Sequence, residues 1–450
     1  MHSMMKGNIY KHLIVFAIPI VIGNIFQQLY NVVDAIVVGR FFGEDAFAAI
    51  GVASPIMGIA IFLMVGMCIG ASVLMAQLFG AGDQANFKKE ISTAFIAGSI
   101  FAVAVSIIFI VFTNTILRLI NTPDSMISDA RVYLITIFSG LIFTLFYNLF
   151  DAVFRSMGNS RTSLMFLIIS SVLHVVLDLL FIIIMHMGVF GVGLATIISQ
   201  AVSALMCAVY GRAKYSILRF RREEIVVDKL LLKKTIEFGW VAALQQSCIY
   251  IGRVLVQSAV NPLGISAIAA FSAVSRIEAF IFAPGDGGAS AITIFVAQNE
   301  GAGKRERTEG GLKAGIVLLF IYCIASSFLT YFGANPLIRL FVGTKGESVI
   351  LQGVQYLHSM SFFYAITAIG SAFQGFFRGI GRVSITFYTT FLQIVIRVIL
   401  SYTLAPKIGL VGVALAVGIG WVCMPIYQGT MFYRYKQKVY AAQRFADFDS

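Results

Sequence analysis

The sequence predicts an all-α polytopic membrane protein, with twelve transmembrane helices in two parallel-repeat six-helix bundles around a central cavity. Three observations lead there: an apolar composition, twelve long apolar segments, and an internal repeat. Of the 450 residues 59% are apolar and 12% are charged, about half the charged share of a soluble domain. A soluble fold of this length needs more polar surface. That excludes a soluble enzyme, a nucleic-acid regulator and a disordered scaffold as first readings.

The apolar segments run roughly over 13–38, 47–78, 91–116, 132–154, 163–185, 190–210, 236–259, 265–297, 314–334, 355–377, 384–404 and 410–432. Each reaches the ~20 residues that cross the hydrocarbon. The second and eighth are overlong, which predicts tilt, a kink or extension beyond the bilayer. Pro55 and Pro284 fall inside them, and Pro19 and Pro425 interrupt the first and last. The first apolar run is too long for a cleavable signal peptide and lacks a small-residue cleavage site, so it is expected to be an uncleaved anchor. The five cysteines all lie in apolar runs without a CxxC spacing and read as small buried side chains.

With both termini placed inside, 24 Lys and Arg fall on that side, six on the other and three within spans. This is a positive-inside bias. The net charge of +12 is therefore topology, and no nucleic-acid partner is expected.

A shift of 221 residues lays GEDAFAAIGVASPI (43–56) on GISAIAAFSAVSRI (264–277), and AQLFGAGD (76–83) on AQNEGAGK (297–304). A shift of 223 lays FRSMGNS (154–160) on FRGIGRV (377–383). Each half carries an even number of spans, so the repeat is parallel, and such folds place the substrate between two bundles that rock. The expected boundaries are a first bundle at 1–210, a basic cytoplasmic linker at 211–234, a second bundle at 235–433 and a cytoplasmic tail at 434–450. The Gly-Ala-Gly at 80–82 and 301–303 lacks a Walker pattern and reads as a tight turn.

Charges within spans are costly and become site candidates by default. Asp34 lies about 35 Å along an ideal helix from Lys11, Asp178 about 24 Å past the cytoplasmic end of span five, and Thr196 about 9 Å into span six from outside. Their oxygens share one depth in the outer half. His174 precedes Asp178 by one turn on the same face. Gln27, Tyr30 and Asn31 share the face of Asp34, and Gln200 continues that of Thr196. The second half lacks these acids: Leu255 stands for Asp34 and Val417 for Thr196, while Arg397 stands for His174. A pair of acids that served the bundle alone would recur there. Two carboxylates in low dielectric repel, so the Asp34–Asp178 pair suits a proton or a hard cation. The bland alternative is a polar tie between helices. Glu278 in span eight either pairs with Arg276 or lines the cavity, and Asp286 is a weaker candidate for the same lining. Asp151 lies close to Arg155 and reads as a gate or a helix cap.

These residues resemble the multidrug and toxic compound extrusion (MATE) family, in its bacterial branch related to DNA-damage-inducible members. The carriers are IPIVIGNIFQQLYNVVDAIVVGRFFG in span one, FRSMGNSRTS after span four, LDLLFI in span five, and SRIEAFIFAP with FVAQNEGAGKRER in and after span eight. The resemblance covers essentially the whole chain. It implies no enzyme activity and no organic cofactor. It implies export of small amphipathic, often cationic compounds in exchange for H⁺ or Na⁺, from a multi-pass protein of the bacterial inner membrane with both termini cytoplasmic. A monomer in contact with membrane lipids is expected. It also implies a cation site at Asp34, Asp178 and Thr196, where Na⁺ would find oxygen ligands. The family usually has Asn at the position of His174, and that departure favours H⁺. A second-half site of another branch looks absent, since Gln374 replaces its acid. The alternative reading is a flippase for a lipid-linked precursor; it predicts a strongly basic cavity, whereas the intramembrane acids here outnumber the Arg residues.

Overall fold

The computed structural model describes the backbone of residues 4–41, 43–120, 122–343 and 346–448, and the side chains of 4–29, 49–120, 122–343 and 346–437. Among the described residues the chain is helical throughout its ordered elements, and nine helices are long and apolar enough to cross a membrane. A tenth crossing is the pair α4 (Asp124–Ser139) and α5 (Leu141–Ser156), bent by 47°. The break sits at Gly140, where an added Cβ would stand 2.4 Å from Ile197 Cγ1. The helix from Val383 to Phe448, α12, holds two of the sequence-defined segments and leaves helical geometry at Ile408 and Gly409, the latter at φ 63°. The more polar α8 (Lys229–Val260) completes twelve crossings.

Two compact units divide the chain: Met1–Ser247 with Ala297–Thr308, and Cys248–Val296 with Glu309–Ser450. In the first, α1 (Ile9–Phe41), α2 (Gly43–Gly80) and α3 (Gln84–Leu119) precede α4 and α5, and α6 (Ser160–Leu179) and α7 (Gly188–Lys214) follow. Its core uses the helical spacing of Leu141, Leu145, Leu149 and Val153 on α5, packed against the small Ala49, Ala53 and Ala60 of α2. Small residues let helix backbones approach where lipid supplies no hydrophobic drive. Gly23 of α1 is such a point: an added Cβ would stand 2.9 Å from Leu167 of α6. Local capping starts the helices where the sequence puts Asp and Asn. Asp83 accepts from Asn86 N at 3.0 Å and Asn159 from Thr162 N at 3.1 Å, each satisfying an orphan donor of a first turn.

The Gly-Ala-Gly turns have two functions rather than one. Gly82 and Gly303 take positive φ, 73° and 68°, as a tight turn requires. Gly80 and Gly301 serve a backbone crossing: an added Cβ would stand 2.0 Å from Gln298 O and 1.9 Å from Gln77 O respectively. The turn after α9 (Ile265–Gly301) also holds the N-terminal arm. Arg307 donates to Met4 O and Gly7 O, Lys304 to Met5 O, and Gln298 Oε1 accepts from Met4 N.

The basic linker is docked rather than free. Val226 N donates to Ser92 Oγ at 2.8 Å, Asp228 N to Thr93 Oγ1 at 3.0 Å, and Lys88 Nζ lies 2.8 Å from Glu224 Oε1. The ammonium of Lys88, with the Arg221 amide, holds the Glu224 carboxyl below its ordinary range.

The second unit is built on α8, α9, α10 (Arg305–Val342), α11 (Glu347–Gly379) and α12. Ala270, Val274 and Ile277 of α9 meet Tyr356, Met360 and Tyr364 of α11 and Val413 and Val417 of α12 in its core.

Candidate cation site and polar cavity in the first unit

Three of the four residues expected at the coupling site meet. His174 and Asp178 are one turn apart on α6, and His174 Nδ1 lies 2.9 Å from Asp178 Oδ2 in an ion-pair contact. His174 Nε2 lies 2.8 Å from Thr196 Oγ1 on α7. Thr196 Oγ1 in turn lies 3.1 Å from Val192 O. The imidazole therefore stands between the acid and the hydroxyl, both faces engaged. His174 is 4% exposed and Asp178 1%. Directly after Asp178 the helix widens into one π turn, Leu180–Ile184, with Met185 N donating to Leu180 O at 3.0 Å. Such turns are common beside functional residues.

Proton placement in this chain is constrained. His174 Nδ1 and Asp178 Oδ2 stand at ion-pair distance without hydrogen-bond alignment. With Thr196 donating to Val192 O, Nε2 carries its own proton and donates to Thr196. With Thr196 donating to Nε2, the ring is neutral and its proton is on Nδ1. One added proton converts the second arrangement into the first. Asp178 Oδ1 is buried without a hydrogen-bond partner among the described residues. Thr196 Oγ1 contacts both Val192 O and His174 Nε2. Among the described residues no three His, Cys, Asp or Glu groups come together. The side chains of Asp34, Tyr30 and Asn31 lie outside the described residues.

Gln27 lines a polar cavity of about 90 Å³ among α1, α5 and α6, opened by the Pro19 region of α1. Its wall includes Asn24, Asn148, Asp151, Arg155 and Ser163. Asp151 and Arg155 pair at 2.8 Å, as their spacing suggested, and Ser163 Oγ is buried without a hydrogen-bond partner among the described residues. Sequence reasoning missed Asn24, Asn148 and Ser163; their type is unremarkable in a helix, and packing alone brings them together. Gln200 is on α7, does not line this cavity, and keeps a buried Oε1 without a hydrogen-bond partner among the described residues.

Glu278 and Asp286 belong to the second unit. Glu278 does not pair with Arg276. It accepts from Tyr364 OH at 3.3 Å and lies within electrostatic reach of Arg397 and Arg253. Asp286 is exposed, within reach of Arg378. Neither Tyr364 nor its contact, 86 residues from Glu278 in sequence, carries a sequence signal.

A multi-pass helical membrane protein with a repeated unit and buried ionisable groups within its spans is the class these features define. The comparisons name the family. The MatE family model matches twice, over residues 19–180 and 242–403, once per half of the repeat, and the chain belongs to this family. It is a family of transporters and not of enzymes. The chain is 26% identical over 434 residues to the "Probable multidrug resistance protein YpnP" of Bacillus subtilis, covering 96% of each. It is 28% identical over 353 residues to the "Probable multidrug resistance protein YoeA" of the same organism, covering 77% of this chain and 76% of that one. Its fold matches an outward-facing multidrug resistance MATE family transporter of the MOP superfamily with a TM-score of 0.90, at 23% identity and 98% coverage of each chain.

Proposed function

We propose that the chain is a proton-coupled exporter of small amphipathic, often cationic compounds, working by alternating access as an antiporter in a bacterial inner membrane. The observation that supports a proton is the Thr196–His174–Asp178 cluster: an imidazole hydrogen-bonded to Thr196 and at ion-pair distance from Asp178 is a group that can take up one proton. The relatives named as multidrug resistance proteins support the cargo class. The polar cavity at Gln27 supplies uncharged acceptors, Gln27, Asn24, Asn148 and Ser163, beside the paired Asp151 and Arg155, to a polar headgroup. Asp34 completes the coupling site in this reading, and Tyr30 and Asn31 are further residues proposed to contact the exported compound. The chain works as a monomer with both termini in the cytoplasm and needs no cofactor beyond the coupling ion.

Efflux of ethidium from proteoliposomes tests this. A pH gradient at constant Na⁺ is expected to drive export, and Asp178→Asn to reduce it about tenfold or more, a ~1.4 kcal/mol loss of coupling per decade. Undiminished export on a Na⁺ gradient without a pH gradient would replace H⁺ by Na⁺. Full activity of the Asp178→Asn protein would remove the site.

A further inference from the structure

The two units carry the same stripe with opposite polarity. On α6 it is Ser170, His174 and Asp178, at four-residue intervals. A shift of 223 residues lays it on Gln393, Arg397 and Ser401 of α12. The acid has become a hydroxyl and the histidine a permanent cation. The facing residues change too. Met57, whose Sδ takes the Tyr133 hydroxyl at 3.4 Å, corresponds at shift 221 to Glu278, which takes the Tyr364 hydroxyl.

The second stripe is built of donors left unused. Residues four apart on a helix share one face. Gln393 is 6% exposed and Ser401 0%. Gln393 Nε2, Arg397 Nε and Ser401 Oγ are all buried without a hydrogen-bond partner among the described residues. No carboxylate lies within ion-pair distance of Arg397 among the described residues. The Arg397 guanidinium lies against α8 at Gly252, where an added Cβ would stand 3.1 Å from Nη2. Arg253, the next residue on α8, is in electrostatic reach of Arg397. A guanidinium within a span is costly and is kept where a partner compensates it. Three donors on one face of α12, Gln393, Arg397 and Ser401, have no acceptor among the described residues, and a second cation, Arg253, stands on neighbouring α8.

We propose that the second unit holds a binding site for a singly charged oxyanion of an amphiphile, a carboxylate or a phosphodiester, on Arg397, Gln393 and Ser401 of α12 with Arg253 of α8. Arg397 is the anchor, because its planar fork matches a two-oxygen group. Gln393 and Ser401 supply neutral donors on either side. Glu278 borders the site and disfavours a dianion by repulsion. This goes beyond the export of cations: it adds a second chemical class that the same chain recognises. The naming of an amphiphile rests on the exporter reading; the binding itself does not.

Trp421 provides the readout. Its ring lies 6.1 Å from that of Tyr364 and 5.3 Å from that of Phe282, and the other tryptophan, Trp240, is removed by Trp240→Phe. In this background, in dodecyl maltoside at pH 7.5, the fluorescence of Trp421 is titrated with decanoate, with lysophosphatidylethanolamine and with decyltrimethylammonium. A saturable response to a probe that carries an oxyanion, decanoate or the zwitterionic lysophosphatidylethanolamine, is expected, with Arg397→Gln raising the apparent Kd about tenfold and Arg397→Lys less. Gln393→Leu removes one donor without a charge and is expected to weaken binding while leaving the melting temperature unchanged. A stronger response to lysophosphatidylethanolamine assigns the site to a lipid headgroup, and a stronger response to decanoate assigns it to a soluble carboxylate. Unchanged titrations in folded Arg397→Gln and Gln393→Leu proteins would overturn the proposal, as would responses to decyltrimethylammonium that match those to decanoate. Loss of ethidium export would leave these titrations unaffected, so the two readings fail separately.

Discussion

Among the described residues, Asp178 Oδ1 is buried without a hydrogen-bond partner. An unsatisfied buried acceptor costs about 1–3 kcal/mol, and a residue serving packing alone would not retain it. His174 occupies the place between that acid and Thr196. An imidazole can exchange a proton, whereas an amide offers only a neutral oxygen. His174→Asn is therefore expected to shift coupling from H⁺ towards Na⁺, with about tenfold loss of pH-driven efflux and a gain of Na⁺-driven efflux in the same vesicles. Equal response to both gradients before and after the change would remove His174 from the coupling step. Much of this site was legible in the sequence, because a four-residue spacing fixes a helix face and the rise per residue fixes depth. The acceptor of the Tyr364 hydroxyl was not, because it depends on how α9 and α11 pack.

The elements carry their own constraints. At Gly80 the backbone of α2 meets that of α9, and no Cβ fits against Gln298 O at 2.0 Å. Gly80→Ala is expected to lower stability by ~1–3 kcal/mol, as overpacking does, read as a lower thermal unfolding midpoint; Gly82→Ala strains φ but meets no such clash. A midpoint equal to wild type for Gly80→Ala would mean the crossing opens freely. The linker tests electrostatics at the same scale. Glu224 has its carboxyl depressed by Lys88, so its contribution is full above the ordinary glutamate value of 4.5 and is lost as pH falls through the lower folded value. The midpoints of wild type and Glu224→Gln should differ slightly near pH 7 and converge below about pH 4; a gap that widens in acid would reverse the assignment. Twelve apolar runs gave the crossings, but the bend at Gly140, the π turn after Asp178 and the docking of residues 224–228 on α3 were not readable. Each depends on a contact with another helix rather than on periodicity.

Over the whole molecule, charge predicts the orientation. Of 33 Lys and Arg, 24 fall on the side assigned to the termini and six on the other, and basic residues near span ends are retained inside. The largest group is the linker with eight, so its side decides the topology more than either terminus. The count of crossings adds a constraint: an even number, twelve, is expected to return the chain to the side where it began. A green fluorescent reporter after residue 437 is expected to fluoresce, because it matures in the cytoplasm. Maleimide is expected to label a cysteine placed at exposed His186, between α6 and α7, from outside in intact cells, and to label one at exposed Arg222 after the membrane is opened. External labelling at Arg222 with protection at His186 would invert the chain, and with it the direction in which Asp178 releases its proton.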